Sequence, residues 1–262
     1  MRCTILASGS RGNCAYIEGE EGSLLIDAGL SARETLQRLV AADCPAETIG
    51  GIIVTHEHTD HVRGLDVLSR RLETPVYATA GTLEDFLRHR RTSDKTLTTR
   101  ICRYHERFAA CGFAIEPFPT SHDAAEPCGF IIAQDGTRFG YCTDTGIITP
   151  HVLALLATCD AVVLESNHSP AMLANGPYPE SLKRRIRSSR GHLSNTAASA
   201  ALRVLDKDVS QIILAHLSEI NNTPELARTS AREGLGLFFE EKILVVATQG
   251  GTTPECPQEL HL

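Results

Sequence analysis

The residues best suited to chemistry lie in one short stretch, His56-x-His58-x-Asp60-His61, directly after the apolar run at positions 52–54. Imidazole nitrogens and carboxylate oxygens are both common ligands of divalent metal ions in proteins. Where a strand ends in a turn, His56 and His58 can converge on one ion, and Asp60 and His61 can face a second. The pattern therefore predicts a metal site, with a solvated histidine-rich turn as the alternative.

Six neighbouring residues cannot complete two coordination shells, so further ligands are expected at the ends of later strands. His122, Asp144 and His216 each occupy such a position, after the strand-like runs 113–118, 138–142 and 211–215. A single histidine is more often an ordinary core or surface residue than a ligand. The same strand-end position in three cases favours the interpretation as ligands.

The elements that must position these residues alternate between strand and helix. Short apolar runs bounded by glycine and serine predict strands over residues 2–7, 15–18, 23–27, 51–54, 76–78, 113–118, 129–133, 138–142, 161–164, 211–215 and 243–246. Helical patterns cover residues 32–42, with Ser31 as N-cap, 83–90, 150–157, 196–205 and 224–234. Strands interleaved with helices indicate an α/β layered sandwich. Because no linker or repeat divides the chain, one domain over residues 1–262 is expected.

Composition and charge exclude several kinds of protein. The chain has 262 residues and a net charge of −7, which argues against broad coating of nucleic acid but permits a local basic patch. The apolar stretch near the N-terminus is too short for a secretory signal, and no run approaches the ~18 apolar residues of a membrane span. A cytoplasmic protein without membrane contact is expected. The nine cysteines include no CxxC pair, so they are interpreted as buried small hydrophobic residues.

The HxHxDH motif with a later His, Asp and His resembles the metallo-β-lactamase superfamily. Further stretches make the chain similar to the YycJ/WalJ-type metallohydrolases within it: SGSRGN at 8–13, ESNH at 165–168, GHLSN at 191–195, and His216-Leu217-Ser218 followed by Asn221-Asn222. This resemblance covers nearly the whole chain. It implies an α/β fold, a four-layer αβ/βα sandwich with two central mixed β-sheets and the metals at one edge.

The resemblance also implies a ligand set for two divalent ions, Zn²⁺, Mn²⁺ or Fe²⁺. The first ion would be held by His56, His58 and His122, and the second by Asp60, His61 and His216, with Asp144 bridging them. Two such ions about 3.5–4 Å apart can hold a hydroxide for in-line attack on an ester. One position departs from the subfamily: residue 169 is serine, where an acidic residue is usual.

His192 has no place in this ligand set. Related phosphodiesterases place a histidine that is not a ligand near the leaving oxygen, so His192 is predicted as general acid, oriented by Glu165. With Asp60 these residues form the expected catalytic group. The alternative is that His192 caps the helix that begins near Ser194.

Contacts to substrate are expected from a basic segment. Lys183, Arg184, Arg185, Arg187 and Arg190 precede His192 without an intervening acid and could follow a phosphate backbone. A solvated helix face is the alternative. Asn13 lies in a glycine-containing loop that is either a simple hairpin turn or a backbone site for an anion. His168 and Asn167 are expected to support the site from behind.

These observations favour a metal-dependent phosphodiesterase, and the resemblance points to a 5′-to-3′ exonuclease on DNA. A hydrolase of small phosphodiesters or thioesters is the alternative, and a non-catalytic binding protein with the same fold is a third hypothesis. The lack of an export signal argues against a β-lactamase. His58, at the position that is acidic in HxExDH proteins, argues against a di-iron oxidoreductase.

Overall fold

The computed structural model describes residues 1–90, 95–205, 209–252 and 258–262. Its first sheet has the spatial order β14 (Glu259–His261), β1 (Arg2–Ala7), β2 (Cys14–Glu18), β3 (Ser23–Ile26), β4 (Ile49–Ile53), β5 (Val76–Ala78), β6 (Thr99–Ile101). The second has the order β13 (Ile243–Val246), β12 (Gln211–Ala215), β11 (Ala161–Glu165), β10 (Thr137–Cys142), β9 (Cys128–Gln134), β8 (Phe113–Pro119), β7 (Phe108–Ala110). Within these described residues, each sheet therefore has seven strands.

Both sheets are mixed in the same way. Strands β14 to β3 pair antiparallel and β3 to β6 pair parallel. In the second sheet β7 to β10 are antiparallel and β10 to β13 parallel. Because the parallel strands of a sheet all end at one edge, residues that follow β10, β11 and β12 come together there. The same holds for residues after β3 and β4.

Helices cover the outer face of each sheet. The first sheet carries α1 (Ala32–Ala41), α2 (Thr59–Val62), α3 (Leu65–Leu72) and α4 (Ala80–His89). The second sheet carries α5 (Pro150–Leu156), α8 (Asn195–Leu205) and α9 (Pro224–Leu235). Helices α6 (Pro170–Asn175) and α7 (Glu180–Arg187) lie between β11 and α8 in the chain. Within the described ranges, no helix is long and apolar enough to cross a membrane.

A central core fills the space between the two sheets. In β9, Phe130 and Ile132 belong to this core, while Ile131 packs on the opposite face against the helices. Successive side chains of a strand point to opposite faces, so a strand covered on both sides is a continuous apolar run. The layers are helices, sheet, sheet and helices, which confirms the predicted α/β sandwich with two mixed sheets.

Most predicted elements agree with the structure within one to three residues at each end. Strands 2–7, 76–78, 211–215 and 243–246 have the predicted bounds, and the Ser31 hydroxyl caps α1 by accepting from the Glu34 amide. The structure adds three short edge strands, β6, β7 and β14, and gives bounds to the helices α2, α3, α6 and α7, for which no bounds were predicted. The eight described cysteines are free and all except Cys111 are buried, while Cys256 lies outside the described residues.

Candidate metal centre

Three imidazoles form the first part of the cluster. His56 and His58 follow β4, and His122 follows β8 from the opposite sheet. The Nδ1 atom of His58 lies 3.0 Å from His56 Nε2 and 3.2 Å from His122 Nε2. Three ring nitrogens are thus directed at one small volume, as in a site that binds a cation through imidazoles.

The second part combines a carboxylate with two imidazoles. Asp60 and His61 lie in helix α2, and His216 follows β12. The Oδ2 atom of Asp60 is 3.6 Å from His61 Nε2 and 3.7 Å from His216 Nε2. The donor atoms of this group all lie within 4.8 Å of one another.

Asp144 lies between the two parts. Its Oδ2 is 3.3 Å from His61 Nε2, and its Oδ1 is 3.7 Å from His122 Nε2 and 3.4 Å from His216 Nδ1. It also forms a donor group with His56 and His61. The structure therefore brings all seven predicted donor residues to one edge of the paired sheets.

Two polar atoms of the cluster indicate whether it fits a cation. Asp144 Oδ2 and His216 Nε2 are buried and have no hydrogen-bond partner in the described part of the chain. A buried polar atom without a partner costs about 1–3 kcal/mol. Buried nitrogen and oxygen atoms without a hydrogen-bond partner can coordinate a divalent cation. The donor set therefore fits divalent-metal binding.

Carboxylates divide the imidazoles into two electrostatic classes. Burial lowers the pKa of His56 and of His122, and neighbouring imidazoles lower the pKa of His56 further. Burial also opposes protonation of His61, but Asp27, Asp144 and Asp60 outweigh it and raise its pKa to about 9. His56 and His122 are thus held in the neutral form, whereas negative charge is concentrated around His61.

Asp27 supports the cluster and was not predicted from the sequence. It follows β3, is fully buried, and its Oδ2 accepts a 2.7 Å hydrogen bond from His61 Nδ1. Its Oδ1 accepts from the Thr55 amide at 2.8 Å, which fixes the start of the HxHxDH loop. Such a carboxylate behind a ligating histidine orients the ring and fixes its tautomer. The signal was present, because Asp27 follows an apolar strand as Asp144 does.

Glu57 is the second missed residue and links two loops of the cluster. It lies between His56 and His58, and its Oε1 accepts a 2.7 Å hydrogen bond from the amide of Ala125. Ala125 belongs to the loop that carries His122, whose Nδ1 is 3.0 Å from the Gly191 carbonyl oxygen. The Gly191 carbonyl therefore orients the imidazole of His122, and Glu57 anchors the loop that carries it.

Glu165 joins His192 to the cluster. Its Oε1 lies 2.8 Å from His192 Nδ1 and 3.0 Å from His216 Nδ1, and its Oε2 accepts from the Thr145 amide at 2.8 Å. Burial opposes ionisation of this carboxyl, but the charges and hydrogen bonds of His192 and His216 hold its pKa well below the usual range.

The alternative role of His192 as a helix cap is wrong. The side chain of Ser194 instead accepts a hydrogen bond from the amide of Ala197 at the start of α8. Ser169, at the position that is acidic in the subfamily, caps α6 by accepting from the Met172 amide.

The loop at residues 8–13 joins neighbouring antiparallel strands and also supports the cluster. The Asn13 Nδ2 atom lies 3.2 Å from Asp60 Oδ2 and 3.1 Å from His61 Nε2. The Asn167 Nδ2 donates to the carbonyl oxygen of His216 at 2.8 Å. His168 is buried, and burial lowers its pKa to about 4. Asn13 and Asn167 therefore lie directly behind or beside the donors, whereas His168 lies next to Glu165 and His192.

The basic segment is placed near the cluster, but several of its charges are compensated. Arg185 Nε donates to Asp123 Oδ2 and Arg187 Nη2 to Glu180 Oε1, both at 2.6 Å. Arg190 Nε donates to the carbonyl oxygen of His122 at 3.1 Å. Lys183 donates to the carbonyl oxygen of Ala174, and Arg184 is exposed. Arg190 and Arg185 are thus the cations most directly tied to the cluster.

The chain matches a family model described as a beta-lactamase superfamily domain over residues 23–217. It is 38% identical to exodeoxyribonuclease YycJ of Bacillus anthracis, with 92% of this chain and 94% of that protein covered. It is 34% identical to exodeoxyribonuclease WalJ of Streptococcus pneumoniae, with 93% of each covered. A solved structure of Zn²⁺-bound PqqB from Methylobacterium extorquens superposes over the full length of both chains with a TM-score of 0.76 at 19% identity.

Proposed function

Since this chain belongs to the metallo-β-lactamase superfamily, together with the YycJ and WalJ exodeoxyribonucleases, we propose that it is a metal-dependent 5′-to-3′ exonuclease on DNA. Two divalent ions, Zn²⁺ or Mn²⁺, are the proposed cofactors. His56, His58 and His122 would hold one of them. Asp60, His61 and His216 would hold the other, with Asp144 shared. Such ions, when bound, supply Lewis-acid stabilisation of phosphoryl oxygens and activate water for attack.

The observation that carries the proposal is the pair formed by Glu165 and His192 beside the donor cluster. The Nδ1–H of His192 donates to Glu165 Oε1, so the opposite ring atom, Nε2, is available to hold a proton. His192 retains about a fifth of its side-chain exposure, whereas Glu165 is fully buried. A phosphodiester leaving oxygen is a strong base, and a positioned acid typically accelerates its departure by about 10²–10⁴-fold.

The remaining residues hold this arrangement in place. Asp27 fixes the ring of His61, and Glu57 and the Gly191 carbonyl fix the loop and ring of His122. Arg190 lies against the carbonyl of His122, where its guanidinium can meet a phosphate of the bound strand. Positioning of this kind lets the substrate meet the donors and the acid without rearrangement.

The proposal is tested with 5′-phosphorylated linear duplex DNA in the presence of Mn²⁺ or Zn²⁺. We expect stepwise loss of nucleotides from the 5′ end, abolished by chelation and by Asp144→Asn, which keeps the size of the side chain and removes its charge. Metal content measured on the same preparations separates loss of metal from loss of activity. Absence of DNA degradation by the metal-loaded wild-type protein would contradict the proposal.

A further inference from the structure

A buried glutamine outside the donor cluster holds the loop at residues 8–13. Gln249 follows β13, and its side chain lies against the backbone of this loop. Its Oε1 accepts a hydrogen bond from the Arg11 amide, and its Nε2 donates to the Gly12 carbonyl oxygen, both at 2.9 Å. A side-chain amide can accept with one atom and donate with the other. Gln249 therefore fixes the backbone of two consecutive loop residues.

Gly9 gives the glutamine side chain the space that it occupies. Its φ is 147°, a value that L side chains rarely adopt, and a Cβ atom at this position would lie 2.9 Å from Gln249 Oε1. The Gly9 amide donates to Asn13 Oδ1 at 2.9 Å, which turns the Nδ2 atom of Asn13 towards Asp60. Gln249 thus packs directly against the residue that orients Asn13.

The loop contacts the donors of the ion proposed at Asp60, His61 and His216, here called the second ion. Asn13 Nδ2 lies 3.2 Å from Asp60 Oδ2, and the Asn13 amide donates to the Asp60 carbonyl oxygen at 2.8 Å. The Ser8 hydroxyl accepts a 2.7 Å hydrogen bond from the His216 amide. In the described part of the chain, the loop makes no hydrogen bond to the ligands proposed for the first ion, His56, His58 and His122.

The backbone of Gln249 is itself fixed from the side away from the loop. Arg38 of α1 donates through Nη1 to the carbonyl oxygens of Gln249 and Leu6, both at 2.7 Å. The Thr248 amide donates to Gln258 Oε1 at 2.8 Å, and the Gln258 side chain is also buried. Because these contacts hold Gln249 independently of the loop, its side chain can set the position of the loop.

We infer that Gln249 is a positioning residue for the second ion. Through the loop at residues 8–13 it holds Asp60 and His216 in place, and it has no such connection to the ligands of the first ion. This inference rests on the two-ion site of the proposed function. It adds that the affinity for one of the two ions is set separately, by the segment that follows β13.

Gln249→Met tests the inference, because methionine keeps the length of the side chain and forms neither hydrogen bond. The measurement is Zn²⁺ affinity, by competition with a chromophoric chelator, in two variants that each keep the ligands of one ion. His58→Ala keeps those of the second ion, and His216→Ala keeps those of the first. We expect Gln249→Met to weaken Zn²⁺ binding about tenfold in the His58→Ala protein, the lower end of the range for residues that orient ligands. In the His216→Ala protein it should leave the affinity unchanged.

Gln211→Met is the matched control, because Gln211 Nε2 also donates to a distant backbone carbonyl, that of His261 at 2.7 Å. Gln211 begins β12, at the end opposite His216, and its replacement should change neither affinity. Equal weakening in both proteins, no weakening in either, or the same loss with Gln211→Met would overturn the role of Gln249. A wild-type protein that binds no Zn²⁺ would overturn the two-ion site and this inference with it. Zn²⁺ binding as expected without degradation of DNA would overturn the proposed nuclease alone.

Discussion

The donor cluster and helix α7 are neighbours that differ in how their charged groups are held. Five of the seven donor residues are buried and the other two are half-buried, and the rings of His61, His122 and His216 are each fixed by a further hydrogen bond. Helix α7 buries no residue, and two of its arginines pair with nearby acids on the surface. Exposed pairs contribute about 0–1 kcal/mol, whereas unsatisfied buried groups cost more. The side chains of the cluster are therefore held in fixed positions, whereas the charged side chains of α7 can change position at the surface.

The largest expected effect comes from removing the proposed acid beside the cluster. His192→Ala should lower kcat on DNA by about 10²–10⁴-fold, because the 3′ oxygen then leaves without a positioned acid. Hydrolysis of bis(p-nitrophenyl) phosphate should fall far less, because p-nitrophenolate is a good leaving group. Unchanged turnover of DNA would refute the assignment of His192.

A smaller effect is expected from the carboxylate behind His61. Asp27→Asn keeps the size of the side chain and removes the charge that orients the ring, so metal affinity should fall about 10–100-fold. Competition with a chromophoric zinc chelator measures this directly. Asp43→Asn, at an exposed position outside the cluster, is the control, and an equal loss in both variants would show that Asp27 has no specific role.

The third effect concerns stability and pH at His168. Burial lowers its pKa to about 4, so between pH 6.5 and 4 the unfolded chain binds a proton that the folded chain does not. The free energy of unfolding is therefore highest, as far as His168 is concerned, above about pH 6.5. It decreases as the pH falls towards 4, by about 1 kcal/mol between pH 6.5 and 5.5. Urea unfolding of the wild-type and His168→Gln proteins at both pH values should show the smaller pH dependence in the variant.

The smallest expected effect concerns the contribution of two exposed arginines to DNA binding. Arg190 has no acidic partner among the described residues, whereas Arg187 is paired with Glu180. Arg190→Gln should weaken DNA binding about threefold and lower the salt slope by about one, as for loss of one phosphate contact. Arg187→Gln should have less effect on binding. Fluorescence anisotropy at several salt concentrations measures the DNA affinity of both variants. Equal affinities and equal salt slopes would show that Arg190 and Arg187 contribute alike.

The sequence was informative where one position carries a strong local signal. The apolar run before His56 and the ligand spacing after it predicted both β4 and the loop, and strand-end positions identified His122, Asp144 and His216. Strands β6, β7 and β14 were missed because each is a three-residue strand at the edge of its sheet, paired with a single neighbour, whereas the equally short β5 lies inside its sheet and is more apolar. Asp27 and Glu57 were missed because their roles depend on partners 34 and 68 residues away.

Three residues in or directly behind the cluster share an unusual backbone conformation. Asp27, Asp144 and His216 follow their strands with φ values of 63°, 52° and 57°, in the left-handed region. For residues other than glycine this conformation costs roughly 1–2 kcal/mol each. At Asp144 and His216 the backbone conformation therefore favours glycine, whereas the metal site needs a donor side chain. Directed evolution of this protein needs an activity screen in every round, because selection for backbone stability alone does not protect the donors.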